Sequence, residues 1–309
     1  MTCWGGFFPA SASGNRVRLS GSGMRPTGPG AVVEFLIGAQ IAAPVPRETI
    51  GSMEFDTHWL ALGLAALFAG FVDAVVGGGG LIQIPALLTG FPQEAPVRVF
   101  GTNKLASIVG TTSAALQYAK RVPIPWPVAL PGAVAALAGS WCGARLVSAV
   151  DPALLRPLVL PLLLAVAAYT FRRKDFGTER ETPSGRVRIH IPLLIGGGVG
   201  VYDGFFGPGT GTFFIFLLIR FAGMNFLGAS VTAKILNAAT NLSAIGFFGL
   251  SGAVMWKVGC GMALCNLMGA QLGSRMALRR GVPFVRQMFL AVVLVLVAKL
   301  ALDLIRSAT

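Results

Sequence analysis

The chain has 309 residues, of which 54% are apolar and only 12% are charged, and its mean hydropathy is +0.72. A soluble domain carries roughly twice that share of charged residues, so the composition excludes an ordinary soluble domain and indicates membrane spans. The formal net charge of +13 would indicate nucleic-acid binding in a soluble protein, but in a membrane protein it indicates basic loops that face anionic lipid. We therefore expect the lipid bilayer, and no nucleic acid, as a partner.

Metal-binding residue types are too few to predict a metal site. The sequence contains two histidines and four cysteines, Cys3, Cys142, Cys260 and Cys265. The cysteines show neither CxxC spacing nor the framework of a secreted disulfide protein, so we interpret them as small packing residues. The sequence therefore predicts neither a bound metal nor a cofactor.

Residues 1–57 differ from the rest of the chain because they are rich in Gly, Ser and Pro. Their apolar run, Ala31–Ala43, is too short to span a membrane and contains Glu34. We interpret residues 1–57 as a disordered N-terminal extension, or as the product of a start codon placed ahead of Met53. A signal peptide built around the same apolar run is the alternative.

An apolar helix from His58 to about Val76 opens the first half, residues 58–171, and ends at four consecutive glycines, Gly77–Gly80. Each glycine lowers helix stability by about 1 kcal/mol relative to Ala, so four in a row break the helix. A short helix and three spans complete this half: Leu81–Leu88, Pro96–Ala119, Val128–Val150 and Ala153–Phe171.

The second half, residues 189–309, follows a hydrophilic linker, residues 172–188, that carries six Lys and Arg residues. Its first helix, Ile189–Phe206, stops at a second glycine cluster, Gly207–Gly211. A short helix and three spans again follow: Thr212–Phe221, Phe226–Leu250, Val254–Leu278 and Val282–Ile305.

The two halves match at a fixed offset of 130 residues. Matched pairs include Asp73 and Asp203, Gly77 and Gly207, Lys104 and Lys234, Gly139 and Gly269, and Arg145 and Arg275. Self-similarity at one offset indicates duplication. The predicted fold is an all-α polytopic membrane protein of two homologous halves, each with a glycine-broken helix followed by three spans.

The distribution of Lys and Arg indicates how the halves face. If each broken helix crossed the membrane once, the linker and the Arg279-Arg280 loop would lie on opposite sides. If each glycine break turns the chain back as a re-entrant hairpin, the repeats are inverted, and Lys120-Arg121, the linker, Arg220 and Arg279-Arg280 share one side. The positive-inside rule favours inverted repeats, with the linker in the cytoplasm and both termini outside it.

Both glycine clusters precede short helices, whose N-terminal N–H groups and dipole form an anion site when they are unpaired. In an inverted repeat the two ends would converge near the middle of the membrane, where nearby hydroxyl groups and lysines add donors and positive charge. This hypothesis assigns to the substrate Gly77, Gly78, Gly79, Gly80, Lys104, Gly207, Gly209, Thr210, Gly211 and Lys234. The alternative is that the glycines only permit close helix packing.

Two aspartates and two lysines lie inside the apolar segments. Asp73 and Asp203 precede the glycine breaks, and Lys104 and Lys234 occupy matched positions in the helices that follow. Charges within spans are costly and usually face a partner, a cavity or a pathway. Two interpretations stay open: each half holds its own structural Asp–Lys pair, or the charges act on the substrate or a coupling ion.

These motifs resemble a known family. The chain resembles the first repeat of the sulfite exporter TauE/SafE family of membrane permeases at Phe71-Val-Asp-Ala-Val-Val-Gly-Gly-Gly-Gly80, followed by Gly101-Thr-Asn-Lys104. It resembles the second repeat of that family at Tyr202-Asp-Gly-Phe-Phe-Gly-Pro-Gly-Thr-Gly211, followed by Thr232-Ala-Lys234. The resemblance covers about residues 58–306. It implies a secondary transporter in the bacterial inner membrane for a small anion, such as sulfite or a sulfonate, and adds Asn103 and Asn237 to the candidate substrate-binding residues. The substrate, transport direction, coupling ion and homo-oligomerisation stay open.

Two other classes of function compete with a transporter. Gly249-Leu-Ser-Gly252 has the GxSG spacing of an intramembrane serine hydrolase, with Ser251 as the nucleophile. A nucleophile needs a base, however, and both histidines lie at span entrances or in polar flanks, so we assign no catalytic residue. A non-transporting accessory protein is the second alternative, and the buried charges in both halves argue against it.

Overall fold

The computed structural model of the protein describes residues 57–155, 161 and 188–308. Their secondary structure is helical with no strand in this part of the chain, which confirms the prediction of an all-α protein. The principal helices are α1 (Thr57–Val76), α2 (Gly80–Gly90), α3 (Pro96–Ala119), α4 (Trp126–Ser148), α5 (His190–Phe205), α6 (Thr210–Ala222), α7 (Phe226–Leu250) and α8 (Trp256–Ala308). The N-terminal extension 1–57, the span Ala153–Phe171 and the linker 172–188 lie outside the described residues, except at 57, 153–155, 161 and 188.

The helix bounds follow the apolar runs of the sequence closely. The two predicted spans Val254–Leu278 and Val282–Ile305 correspond to two helices that meet at a kink within α8. Gly281 alone leaves the helical conformation there, with φ 70° and ψ −164°. By length and apolarity, α1 and α4 qualify as membrane spans among the described helices.

The first glycine break turns the chain back along α1. Gly77 has φ 83°, a left-handed conformation that favours glycine. After the turn α2 runs antiparallel to α1, so that Phe91 reaches the beginning of α1 and its ring packs edge-on, 5.8 Å from the ring of His58. We call α1 and α2 the first hairpin and Gly77–Gly80 its tip.

The second glycine break makes a matching turn between α5 and α6. Gly207 and Gly209 have φ 93° and 78°. The ring of Phe213 on α6 lies 5.2 Å from the ring of Tyr202 on α5, and the Tyr202 hydroxyl donates to the carbonyl of Pro208 within the turn. We call α5 and α6 the second hairpin and Gly207–Gly211 its tip.

Each hairpin packs against a long helix of the opposite half, the first hairpin against α8 and the second against α4. Glycines on α4 and α8 make these contacts, since they let the backbones approach closely. The pairs are Gly139 with Gly197 and Gly143 with Val201 between α4 and α5, and Gly269 with Leu67 and Gly273 with Phe71 between α8 and α1. The second set of pairs is the first set with the two halves exchanged at the 130-residue offset.

Helices α3 and α7 lie side by side between the hairpins and run in opposite directions. Lys234, in the first half of α7, has its Nζ 4.8 Å from the ring centre of Tyr118 at the end of α3. Near the other end, a Cβ atom added to Gly101 would lie 3.0 Å from the Cβ of Phe248. Two apolar clusters surround this pair, one containing Tyr118 and Leu236 and the other containing Phe248.

Candidate functional site

The two hairpin tips meet at the centre of the helix bundle. A Cβ atom added to Gly77 would lie 2.6 Å from the Cα of Gly211, and one added to Gly80 would lie 3.2 Å from the Cα of Pro208. The Thr212 hydroxyl in the first turn of α6 donates to the Val76 carbonyl at the end of α1, at 2.7 Å. The N-terminus of α6 therefore abuts the C-terminus of α1, a contact between helix-dipole ends of opposite sign.

The N-termini of the short helices have fewer unpaired N–H groups than the sequence predicted. At α2, Leu81 donates its amide to the Gly78 carbonyl and Ile82 to the Gly79 carbonyl, at 3.1 and 3.0 Å. At α6, the Thr210 amide donates to the Gly207 carbonyl at 3.3 Å. These amides are paired because the chain enters both helices through a tight turn whose own carbonyls reach the first helical N–H groups.

A cavity of about 20 Å³ lies beside the contact between the tips. That volume is close to what one water molecule requires. Ten of the residues that the sequence singled out line it: Asp73, Gly77, Gly80, Asn103, Lys104, Asp203, Gly207, Gly209, Thr210 and Asn237. Four others do not line it: Gly78, Gly79, Gly211 and Lys234.

Lys104 forms a buried ion pair that connects the two halves. Its Nζ lies 2.6 Å from Oδ2 of Asp203, and both side chains are almost completely buried. The other carboxylate oxygen of Asp203 accepts a hydrogen bond from the Thr210 hydroxyl, also at 2.6 Å. The structural pairing considered from the sequence, Asp73 with Lys104 inside one half, is thus not the pairing of the structure, because the second hairpin brings Asp203 to the face of α3.

Lys234 and Asp73 are related differently from Lys104 and Asp203. The Lys234 Nζ donates to the backbone carbonyl of Asp73, at 3.3 Å, and lies over the Tyr118 ring. The ammonium group is therefore next to the C-terminal end of α1, where the helix dipole favours a cation. The Asp73 carboxylate instead accepts from the Thr111 hydroxyl at 3.0 Å.

Sequence reasoning missed three cavity-lining residues, Ser107, Thr111 and Asn241. A helical spacing could have revealed them: Ser107 and Thr111 follow Asn103 at intervals of four residues, and Asn241 follows Asn237 at the same interval. Residues four apart lie on the same face of a helix. Each of α3 and α7 therefore presents a polar stripe to the cavity.

The constraint on glycine also differs between positions in the tips. Gly77, Gly207 and Gly209 have a left-handed backbone, which favours glycine. Gly79 does not, since its φ is −57°. Its constraint is steric, because a Cβ atom there would lie 2.6 Å from the Ala69 carbonyl oxygen.

Comparison with known proteins agrees with the motif pattern. The family model described as sulfite exporter TauE/SafE matches residues 62–300, which include both hairpin tips. The chain belongs to the sulfite exporter TauE/SafE family.

Several relatives align with this TauE/SafE protein over nearly their full length. The chain is 39% identical over 252 residues to the probable membrane transporter protein ORF9 of a Sinorhizobium species, covering 80% of this chain and 94% of the relative. It is 34% identical over 259 residues to the probable membrane transporter protein YfcA of Escherichia coli K12, covering 83% and 95%. A probable membrane transporter protein of Haemophilus influenzae is 34% identical over 246 residues, covering 78% and 95%. No solved structure matches the chain.

Ser251, the candidate nucleophile of the alternative function, lies at the C-terminal cap of α7 in this TauE/SafE protein. Its hydroxyl donates back to the carbonyl of Phe247 at 2.9 Å, as serines at helix ends commonly do. Both hydroxyl contacts of Ser251 in the described structure are to backbone carbonyls of its own helix. This geometry does not favour a hydrolase.

The outer surface of the TauE/SafE helices is apolar. Large side chains exposed on the outside of α1, α4, α5 and α7 include Leu64, Phe68, Leu130, Val134, Leu194, Leu242 and Leu250. Such a surface fits a lipid environment, in which apolar side chains face the bilayer. The buried charged side chains lie inside this apolar surface, as charged groups within membrane proteins usually do.

Proposed function

We propose that this protein is a secondary transporter for a small anion, sulfite or an organosulfur anion such as a sulfonate, in the bacterial inner membrane. The observation that carries the proposal is the cavity between the two hairpin tips, where Lys104 and the polar side chains of α3 and α7 converge. Membership of the sulfite exporter TauE/SafE family supports it, as do the relatives, which are named as probable membrane transporter proteins.

Inverted repeats complete the proposed architecture. Three observations support them: both hairpins fold back on themselves, the equivalent helices α3 and α7 run antiparallel, and the contacts of α4 and α8 are exchanged between the halves. In this arrangement the linker 172–188 and the exposed Arg279 and Arg280 lie on the cytoplasmic side. Rocking of one repeat against the other would then open the cavity alternately to the two sides.

Substrate binding in this proposal requires the tips to separate. A cavity of about 20 Å³ has room for about one water molecule, and an oxyanion of sulfur is several times larger than one water oxygen. Separation of Gly77 from Gly211 would enlarge the cavity and uncover the N-terminal end of α6. The anion would then meet Lys104, the Thr210 hydroxyl and the amide of Asn237, all of which line the cavity.

Uptake by the purified protein in proteoliposomes tests this function. The panel contains sulfite, thiosulfate, sulfoacetate and taurine, and we expect saturable uptake of at least one of the three anions. Gly209→Val should reduce that uptake at least about tenfold, since a β-branched residue is strongly disfavoured at φ 78°.

Gly78→Ala is the matched control for Gly209→Val. It lies in the equivalent tip, but a Cβ atom there would have only side-chain neighbours, at 3.8 Å, so uptake should stay near the wild-type rate. Both variants must reach the membrane in similar amounts. No uptake of any compound by the wild-type protein, or normal uptake by Gly209→Val, would contradict the proposal.

A further inference from the structure

The two aspartates that precede the glycine breaks have different environments although they occupy matched positions at the 130-residue offset. Asp203 is 1% exposed, is ion-paired with Lys104 and accepts from Thr210. Asp73 is only partly buried and lines the cavity, and its carboxylate accepts from the Thr111 hydroxyl. Within the described part of the chain, the carboxylate of Asp73 forms no ion pair.

Polar side chains on α3 and α7 line the same cavity as Asp73. They are Asn103, Lys104, Ser107 and Thr111 on α3 and Asn237 and Asn241 on α7. Asn103 is 4% exposed, and its carbonyl oxygen Oδ1 accepts no hydrogen bond from a described residue. A buried acceptor without a partner is unfavourable, so this oxygen calls for a donor or a cation.

We propose that this cavity binds one Na⁺ ion, with the Asp73 carboxylate and Asn103 Oδ1 as ligands and hydroxyl or amide oxygens of the lining residues completing the set. Hard cations prefer carboxylate, carbonyl and hydroxyl oxygens. A cavity of about 20 Å³ accommodates one water-sized species, which suits a bare monovalent cation.

The charges around the site indicate that binding of this ion is coupled to binding of the transported anion. This coupling role rests on the proposed function. Among the described residues, the acidic and basic side chains around the hairpin tips are Asp73, Asp203, Lys104 and Lys234, and their formal charges sum to zero. One Na⁺ ion would leave an excess positive charge in a buried site, and a monovalent anion would neutralise it. Na⁺ and the anion should therefore each increase the affinity for the other.

Thermal unfolding of the purified protein in detergent, without any anionic substrate added beyond chloride, tests the ion site by itself. Increasing NaCl is compared with choline chloride at equal ionic strength. The wild-type Tm should rise saturably with Na⁺ only, because a ligand that binds the folded state stabilises it. Asp73→Asn and Asn103→Ala should each raise the Na⁺ concentration for half-saturation at least about tenfold.

The Asn103→Ala variant tests whether Asn103 is a ligand of the ion or a structural residue. Because Asn103 Oδ1 accepts no hydrogen bond from a described residue, removal of this oxygen should leave the Tm in choline chloride unchanged or higher. The matched control is Asn225→Ala, which removes a side chain that accepts the Gly228 amide at the N-cap of α7, at 2.8 Å. This control should lower the Tm equally in both salts and keep the full Na⁺ response.

The outcomes distinguish the ion site from the transport function. A wild-type Tm that does not respond to Na⁺, or responds equally to choline, would overturn the site. An undiminished Na⁺ response in both Asp73→Asn and Asn103→Ala would overturn it as well. A normal Na⁺ response together with no uptake of any anion would support the site and contradict the transport function instead.

Discussion

Replacing the charges of the ion pair between Lys104 and Asp203, singly and together, tests how the two halves are joined. Lys104→Met keeps the length and much of the shape of the side chain, and Asp203→Asn keeps an oxygen that accepts from Thr210. Each single variant leaves one buried charge without its partner. The double variant removes both charges.

The magnitude follows from the distance and the burial. Two unit charges 2.6 Å apart attract by about 6 kcal/mol at an effective dielectric constant of about 20. Removing two such ions from water costs several kcal/mol each, so the intact pair is close to neutral in its net effect. Loss of one partner should therefore cost about 3–5 kcal/mol, while loss of both should cost about 1 kcal/mol or less.

The assay is thermal unfolding in detergent, followed by tryptophan fluorescence. Each single variant should lower the Tm by about 6 °C or more, and the double variant should recover most of that loss. The control is Asp73→Asn combined with Lys104→Met, which leaves Asp203 buried and unpaired and should recover nothing. Recovery by this control, or no recovery by the double variant at Lys104 and Asp203, would refute the pairing across the halves.

Two further predictions concern topology and helix packing. In a chain whose native cysteines are replaced, cysteines placed at Thr178 in the linker and at Ser251 after α7 should react with impermeant maleimide from opposite sides of the membrane; reaction from the same side would contradict the inverted repeats. Gly139→Ala and Gly269→Ala should each destabilise the protein by about 1–3 kcal/mol, measured by the Tm, because the added methyl group meets a backbone carbonyl of the opposing helix. Gly261→Ala, whose Cβ would have no neighbour within 4 Å, should leave the Tm unchanged, and an equal loss there would show that close packing is not the cause.

Most of the helical plan could be predicted from local features of the sequence. Apolar runs of span length and the glycine clusters define the helices within a few residues, because both signals act through neighbouring residues. The 130-residue offset also identified Asp73 and Asp203, and Lys104 and Lys234, as matched positions. Ten of the candidate site residues line one cavity, since the two hairpin tips meet beside it.

The partner of each charged side chain could not be predicted from the sequence, because it depends on which helices are neighbours in space. Sequence position alone suggested that Asp73 pairs with Lys104, 31 residues later, whereas the ion pair joins Lys104 to Asp203. The contact between Gly77 and Gly211, which covers one helix N-terminus, likewise follows from packing across the halves. Periodicity within α3 and α7 did contain the missed Ser107 and Asn241, so this omission was avoidable.

The exchange of helix contacts between the halves has a consequence for biosynthesis. Helix α1 packs against α8, which begins about 200 residues later in the chain. At a synthesis rate of about 5–20 residues per second, α1 enters the membrane on the order of ten seconds or more before its partner exists. During that interval the face of α1 that carries Gly70 has no α8 to pack against. The first half of the protein therefore cannot complete its fold until the second half has been translated.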